Sequence, residues 1–280
     1  MMHSTKPHTL KVPGASIYYE VQGAGPLLLM IPGGPTDAGV FAGLAASLAG
    51  RYTVVAYDPR GNSRSVFDAE PKEQDLDIHG DDAALLIKAI GDKPAYVFGG
   101  SGGAQIGLNL AARHPGQVRA LVAHEPPCLR LLPEPSEAIA MLDELYGIYR
   151  REGAGAAIQA FMERTGMDDE HLQDGSPRTD QPPEVEQMFA RINGNLDYFF
   201  AHGLKPISFY VPDVEALRAG PARIVIGVGE RSAGQLAGRT ALALAERLGA
   251  KPVVFPGDHN GYGIDPIAFA EILHATLRSQ

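Results

Sequence analysis

The chain of 280 residues is 45% hydrophobic, enough to bury a core for one α/β domain with an insertion. Its 24 basic and 33 acidic residues leave a formal net charge of −9, and no stretch gathers Lys and Arg as a nucleic-acid surface would need. Cys128 is the single cysteine, so an intramolecular disulfide is excluded and the thiol reads as a small, semi-buried apolar residue.

Met1 to Leu10 is polar with no apolar signal-peptide core, and the first apolar run, Leu27 to Ile31, is too short to span a bilayer. A cytoplasmic protein with no membrane partner is expected. Ser16 to Val21 alternates as an early strand, and Pro26 to Ile31 reads as a buried strand ending at the loop Pro32-Gly33-Gly34-Pro35. Next come a helix over Ala38 to Leu48, strand Tyr52 to Tyr57, helix Ile78 to Ile90, strand Ala95 to Phe98, helix Ala104 to Arg113 and strand Val118 to Ala123. Strands alternating with helices of this length predict a mostly parallel central sheet with helices on both faces.

After Ala123 the rhythm breaks. Pro126, Pro127, Pro133 and Pro135 lead into helical stretches near Ser136 to Arg151, Gly155 to Arg164 and Val185 to Gly203, with a polar loop over Asp168 to Pro183. Strand Arg223 to Val228, helix Ala237 to Leu248, strand Pro252 to Phe255 and helix Pro266 to Leu277 then resume the alternation. The middle third therefore reads as a helical lid inserted into a finished sheet.

Gly99-Gly100-Ser101-Gly102-Gly103 matches a Gly-x-Ser-x-Gly elbow and lies between a predicted strand and a predicted helix. A serine on so sharp a turn crowds its neighbours, which glycine tolerates, and the following helix aims its N-terminus at the reacting centre. With this elbow the chain resembles the α/β-hydrolase superfamily over essentially its whole length. The resemblance implies an α/β-hydrolase fold: residues 1–130 and 221–280 form the core, and 131–220 the inserted helical lid. Asp58-Pro-Arg-Gly-Asn-Ser-Arg-Ser is similar to the superfamily's Asp-x-Arg-Gly-x-Ser-x-Ser segment and reads as a charge-anchored loop beside the site.

The remaining parts follow in order. Superfamily members usually carry His-Gly after the third strand; here Pro32 replaces the His, and the N–H groups of Gly34 and Gly102 are the expected oxyanion-hole donors. His259, in the loop Pro256-Gly257-Asp258-His259-Asn260-Gly261 after the last strand, is the expected general base. His274 falls within a helix, and His124 directly precedes a carboxylate.

The acid departs from the common pattern. Where most members place Asp after the strand that follows the lid, this chain reads Gly229-Glu230-Arg231-Ser232, and a serine hydroxyl cannot stabilise an imidazolium. Glu125, just past the strand next to the nucleophile strand, is the preferred acid. That placement resembles haloalkane dehalogenases and zearalenone-type lactonases. Glu230 is the alternative, and Asp258, beside the base, the weakest choice.

These parts imply a serine hydrolase that cleaves a carboxylic ester or lactone of a small molecule through an acyl-enzyme, with no cofactor or metal. Serine in place of aspartate at the elbow argues against epoxide-hydrolase and dehalogenase chemistry. Met141, Tyr146, Phe161, Met188, Phe189, Tyr198 and Phe199 make the predicted lid apolar, which fits an apolar substrate and fits simple packing equally. A proline iminopeptidase-like aminopeptidase and a non-catalytic ligand-binding protein on the same fold are the alternative readings. The oligomeric state stays open, a homodimer included.

Overall fold

The computed structural model describes residues 5–167, 182–232 and 234–279; most of the loop expected over Asp168 to Pro183 lies outside them. In chain order the strands are β1 (Lys6–Val12), β2 (Ala15–Gly23), β3 (Leu27–Ile31), β4 (Thr53–Tyr57), β5 (Val66–Phe67), β6 (Ala95–Gly100), β7 (Val118–His124), β8 (Arg223–Gly229) and β9 (Val253–Phe255). They form one sheet in the order β1-β2-β4-β3-β6-β7-β8-β9, with β5 added against β2. The pairs β1–β2 and β2–β4 are antiparallel, and every pair from β4–β3 to β8–β9 is parallel.

Burial on both faces explains why the central strands are nearly all apolar. Successive side chains of a strand point to opposite faces, so Leu28, Met30, Tyr96, Phe98, Ala120 and Val122 enter one core while Leu29, Ile31, Val97, Leu121 and Ala123 enter the other. The first core is closed by α1 (Ala42–Leu48) and, near the C-terminus, α10 (Gly261–Ile264) and α11 (Pro266–Arg278); the second by α2 (Leu76–Ile90) and α3 (Gly102–Arg113). Cys128 belongs to this second core and is fully buried.

Between β7 and β8 run α4 (Ser136–Glu152), α5 (Ala154–Thr165), α6 (Pro183–Tyr198), α7 (Leu204–Phe209) and α8 (Val214–Ala219), with α9 (Leu236–Leu248) following β8. A single π-helical turn, Phe199–Gly203, joins α6 to α7. None of the helices among the described residues is long and apolar enough to cross a membrane.

Several features depart from the sequence reading. Lys6–Val12 is a strand although it is polar, because it lies at the sheet edge and is held by seven residue pairs to β2 rather than by burial. The stretch expected as one helix from Ala38 begins as a 3-10 turn, Ala38–Phe41, capped by the Asp37 carboxylate on Gly39 N–H. Helices α7 and α8, of six residues each, are too short to leave a clear periodic signal.

Candidate active site

Sheet topology brings the ends of β3, β6, β7 and β8 together at their C-terminal edge, where parallel α/β sheets place ligands. Ser101 sits between β6 and α3 with φ 54° and ψ −126° and donates its N–H to the His124 carbonyl at 2.9 Å. Among the described residues the non-glycine positions with positive φ are Ser63, Ser101 and Glu125, of which Ser101 and Glu125 directly follow β6 and β7 at this edge. Left-handed backbone at non-glycine residues costs free energy and persists only where surrounding contacts over-determine it.

Glu125 continues directly from β7. Its N–H donates to the Gly227 carbonyl of β8 at 3.1 Å, and its φ of 48° turns the side chain toward the β9 loop. One carboxylate oxygen accepts the Gly229 N–H at 2.8 Å, and the other lies 2.8 Å from His259 Nδ1. The carboxylate is fully buried and His259 nearly so. Burial pushes the Glu125 carboxyl up, but the hydrogen bond and charge of His259, with smaller help from His124 and Ser232, outweigh it and leave the group lowered to about 2. Glu125 is therefore an ionised, dry partner for an imidazole.

Glu230, the alternative acid, is exposed and accepts the Gly257 N–H at 3.2 Å. Asp258 faces Arg231 and caps Asn260 N–H. Neither is hydrogen-bonded to His259 in the structure. His274, on α11, lies 2.9 Å from the Tyr52 hydroxyl. His124 is packed beneath His259 with ring centroids 6.5 Å apart, enclosed by Phe98, Phe255, Tyr262 and Phe269. Burial lowers its pKa to about 4, so it is a neutral ring at pH 7.

The loop after β3 lies against the elbow. A Cβ on Gly33 would sit 2.6 Å from both Gly100 O and Gly102 N, so close approach demands glycine there. A Cβ on Gly34 would make only ordinary contact with the Phe199 ring, at 3.8 Å, but its φ is +55°, and its N lies 3.3 Å from where a Cβ of Gly102 would be. The two candidate donors, Gly34 N–H and Gly102 N–H, are thus neighbours, the second at the positive end of α3. Asp58 is fully buried at the root of the next loop, accepting Ala38 N–H and pairing with Arg64, while Arg60 makes two bonds to buried Asp82 at 2.7 and 2.8 Å.

A cavity of about 710 Å³ opens over these groups, lined by Gly34, Ser101, Gly102 and His259 below and by α4 to α7 above. Of the aromatic and Met residues singled out from sequence, Met141, Phe161, Met188, Phe189 and Phe199 line it. Tyr146 and Tyr198 are not among its lining: Tyr146 stacks beside Tyr149 and Lys205, and Tyr198 packs on Phe67. Sequence reasoning passed over Arg191 and Asn195, whose contacts with Asp37, Pro35 and Ser63 lie far along the chain.

Fold and site together define a hydrolase of the α/β type, and the comparisons agree. The α/β hydrolase fold family model matches residues 26–183, and the chain belongs to that family. It is 38% identical to the uncharacterized hydrolase YraK of Bacillus subtilis (strain 168), an alignment covering 97% of this chain and 96% of that protein. The enol-lactonase from Burkholderia xenovorans LB400 has the same fold, with a TM-score of 0.74 and 19% identity over 97% of this chain and 100% of that one. A thermophilic esterase from Thermogutta terrifontis also shares the fold, with a TM-score of 0.74 and 19% identity over 99% and 98% of the two chains.

Proposed function

We propose that this protein hydrolyses an uncharged carboxylic ester or lactone through an acyl-enzyme on Ser101. The observation that carries the reading is the 2.8 Å contact between His259 Nδ1 and the buried Glu125 carboxylate, with His259 and the strained Ser101 on the wall of one cavity. Glu125 holds the tautomer that leaves Nε2 free and stabilises the imidazolium once it forms.

In the first half-reaction His259 takes the Ser101 hydroxyl proton as Oγ bonds to the substrate carbonyl carbon. The carbonyl oxygen becomes an oxyanion held by Gly34 N–H and Gly102 N–H. Collapse expels the alcohol, which receives the proton from His259. Water, deprotonated by His259, then attacks the acyl-enzyme, releasing the acid and restoring Ser101. A lactone gives one hydroxy acid by the same steps.

The helices over the cavity act as a lid that selects the acyl group. Its described lining includes Met141, Leu142, Ile158, Phe161, Met162 and Leu196 and contains no Asp, Glu, Lys or Arg. Burying an unpaired charge there is costly, which favours neutral, apolar substrates. An aminopeptidase needs an acidic side chain for the substrate amine, so the same lining weighs against that reading.

Intact mass after reaction with a fluorophosphonate tests the assignment. One adduct per wild-type chain, lost in Ser101→Ala, is expected; equal labelling of Ser101→Ala, or none of wild type, would sink it.

A further inference from the structure

The segment that carries Gly34 is tied down at every carbonyl. Gly33 O accepts Thr36 N–H at 3.1 Å and the Thr36 hydroxyl at 2.6 Å, and Asn62 Nδ2 donates to Gly34 O at 3.0 Å and Thr36 O at 2.9 Å. These partners are local or belong to the neighbouring loop. Pro35 O is different: it accepts Asn195 Nδ2, 160 residues away on α6, at 2.7 Å.

Asn195 is 5% exposed, and its amide is used at both ends. Nδ2 donates also to Ser63 Oγ at 2.8 Å, and Oδ1 accepts the Ser63 N–H at 2.7 Å. An N–H donor at one end and a carbonyl acceptor at the other fix the amide orientation unambiguously. Ser63 is one of the left-handed residues, so the same side chain holds its strained backbone.

One turn earlier, Arg191 Nε donates to Asp37 Oδ2 at 2.6 Å, while Asp37 Oδ1 caps the 3-10 turn at Gly39. The Asp37 carboxylate is fully buried. Met188, Arg191, Asn195 and Phe199 follow at intervals of three and four, so a single face of this continuous helical run meets the loop. Its Met188 side chain approaches Gly39, and Phe199 lies over Gly34.

We propose that Asn195 and Arg191 are positioning residues for the oxyanion hole, which is set for catalysis only while α6 is docked on the loop at residues 33–37. Proline already fixes φ at Pro35, so holding its carbonyl limits the remaining freedom of the segment beside the Gly34 donor. The replacement of the family's usual histidine by Pro32 removes a brace from one side of the loop, and the α6 amide braces it from the other. The inference rests on the serine-hydrolase reading, because it concerns the hole used in that reaction.

The test uses full-length wild type, Asn195→Ala, Arg191→Ala and Arg191→Lys, with p-nitrophenyl hexanoate as substrate and an alkyl trifluoromethyl ketone as probe of the hole. The ketone carbon bonds to Ser101 and its oxygen becomes the oxyanion, so its affinity reads the donors while KM reads ground-state binding. In Asn195→Ala, kcat and ketone affinity should fall together by about tenfold or more, with KM within about twofold. Arg191→Ala should show the same pattern more weakly, and Arg191→Lys should recover most of it.

Unchanged kcat and ketone affinity with a lower Tm in both alanine variants would overturn the proposal, leaving α6 docking as a stability contact alone. Should Asn195→Ala fail to fold, the Arg191 pair decides by the same ratio. Wild type that neither labels with fluorophosphonate nor binds the ketone would overturn the serine-hydrolase reading and this inference with it. Labelled wild type with indifferent variants would overturn only this inference.

Discussion

Ser232, fully buried in the loop after β8, stands against the carboxylate of Glu125 and helps to lower its pKa. The residue at the superfamily's common acid position is therefore a polar neighbour of Glu125, the acid we propose. Ser232 neighbours the Glu125 carboxylate, so a carboxylate placed at that position should partly replace it. Glu125→Gln should lower kcat by roughly 10³-fold to 10⁴-fold, since the tautomer is no longer enforced. Adding Ser232→Asp to Glu125→Ala should recover at least about tenfold over Glu125→Ala alone. Steady-state kinetics of the three variants checks this, and no recovery would show that only the Glu125 geometry serves.

Gly33 and Gly34 are glycines for different physical reasons, and substitution should separate them. Gly33→Ala places a methyl group 2.6 Å from two backbone atoms, so the loop must shift away from the elbow. A loss of about 100-fold or more in kcat is expected, comparable to losing one oxyanion donor. Gly34→Ala meets no atom closer than 3.8 Å but must hold a φ of +55°. Its main cost should be about 1 kcal/mol of stability with much of the activity kept. Kinetics and urea unfolding on both variants distinguish crowding from backbone strain.

Stability should fall in acid. His79 and His124 are fully buried, and burial lowers both pKa values to about 4 from 6.5. Between those values the unfolded chain binds protons that the folded chain refuses, so stability present above pH 6.5 is lost progressively down to pH 4, by about 3 kcal/mol for each ring at most. Glu125, lowered to about 2 from 4.5, adds a loss in the same direction between pH 4.5 and 2. Urea midpoints from pH 8 to 4 should decline, and His79→Leu, which removes a titrating ring away from Ser101, should flatten the decline.

Charge on the acyl chain should be rejected. The described lining of the cavity offers apolar side chains and a few hydroxyls and amides but no counter-charge. p-Nitrophenyl hexanoate and the p-nitrophenyl monoester of adipic acid differ by a terminal carboxylate, and kcat/KM should favour the neutral ester by about 100-fold or more. Equal turnover would mean that the acyl chain lies outside this cavity.

The parts of this protein that were legible in its sequence are those that neighbours along the chain create. Strand, Gly-Gly-Ser-Gly-Gly turn and helix are contiguous, so the Ser101 elbow needs no distant partner to be recognised, and the same holds for the His259 loop after β9. The doubly buried strands also declare themselves, because both faces of Leu27–Ile31 or Ala95–Gly100 must be apolar. Tertiary structure decided what depends on pairing across the fold. β1 is a strand only because β2 completes its hydrogen bonds, whatever its polar side chains suggest. Glu125 rather than Glu230 meets His259 because β7 lies between β6 and β8, and because a left-handed residue after His124 turns the carboxylate toward the β9 loop. The contacts of Asn195 join residues up to 160 positions apart. No local pattern marks such a side chain, since its role comes from a hydrogen bond whose other half is set by the folding of α6 onto the sheet.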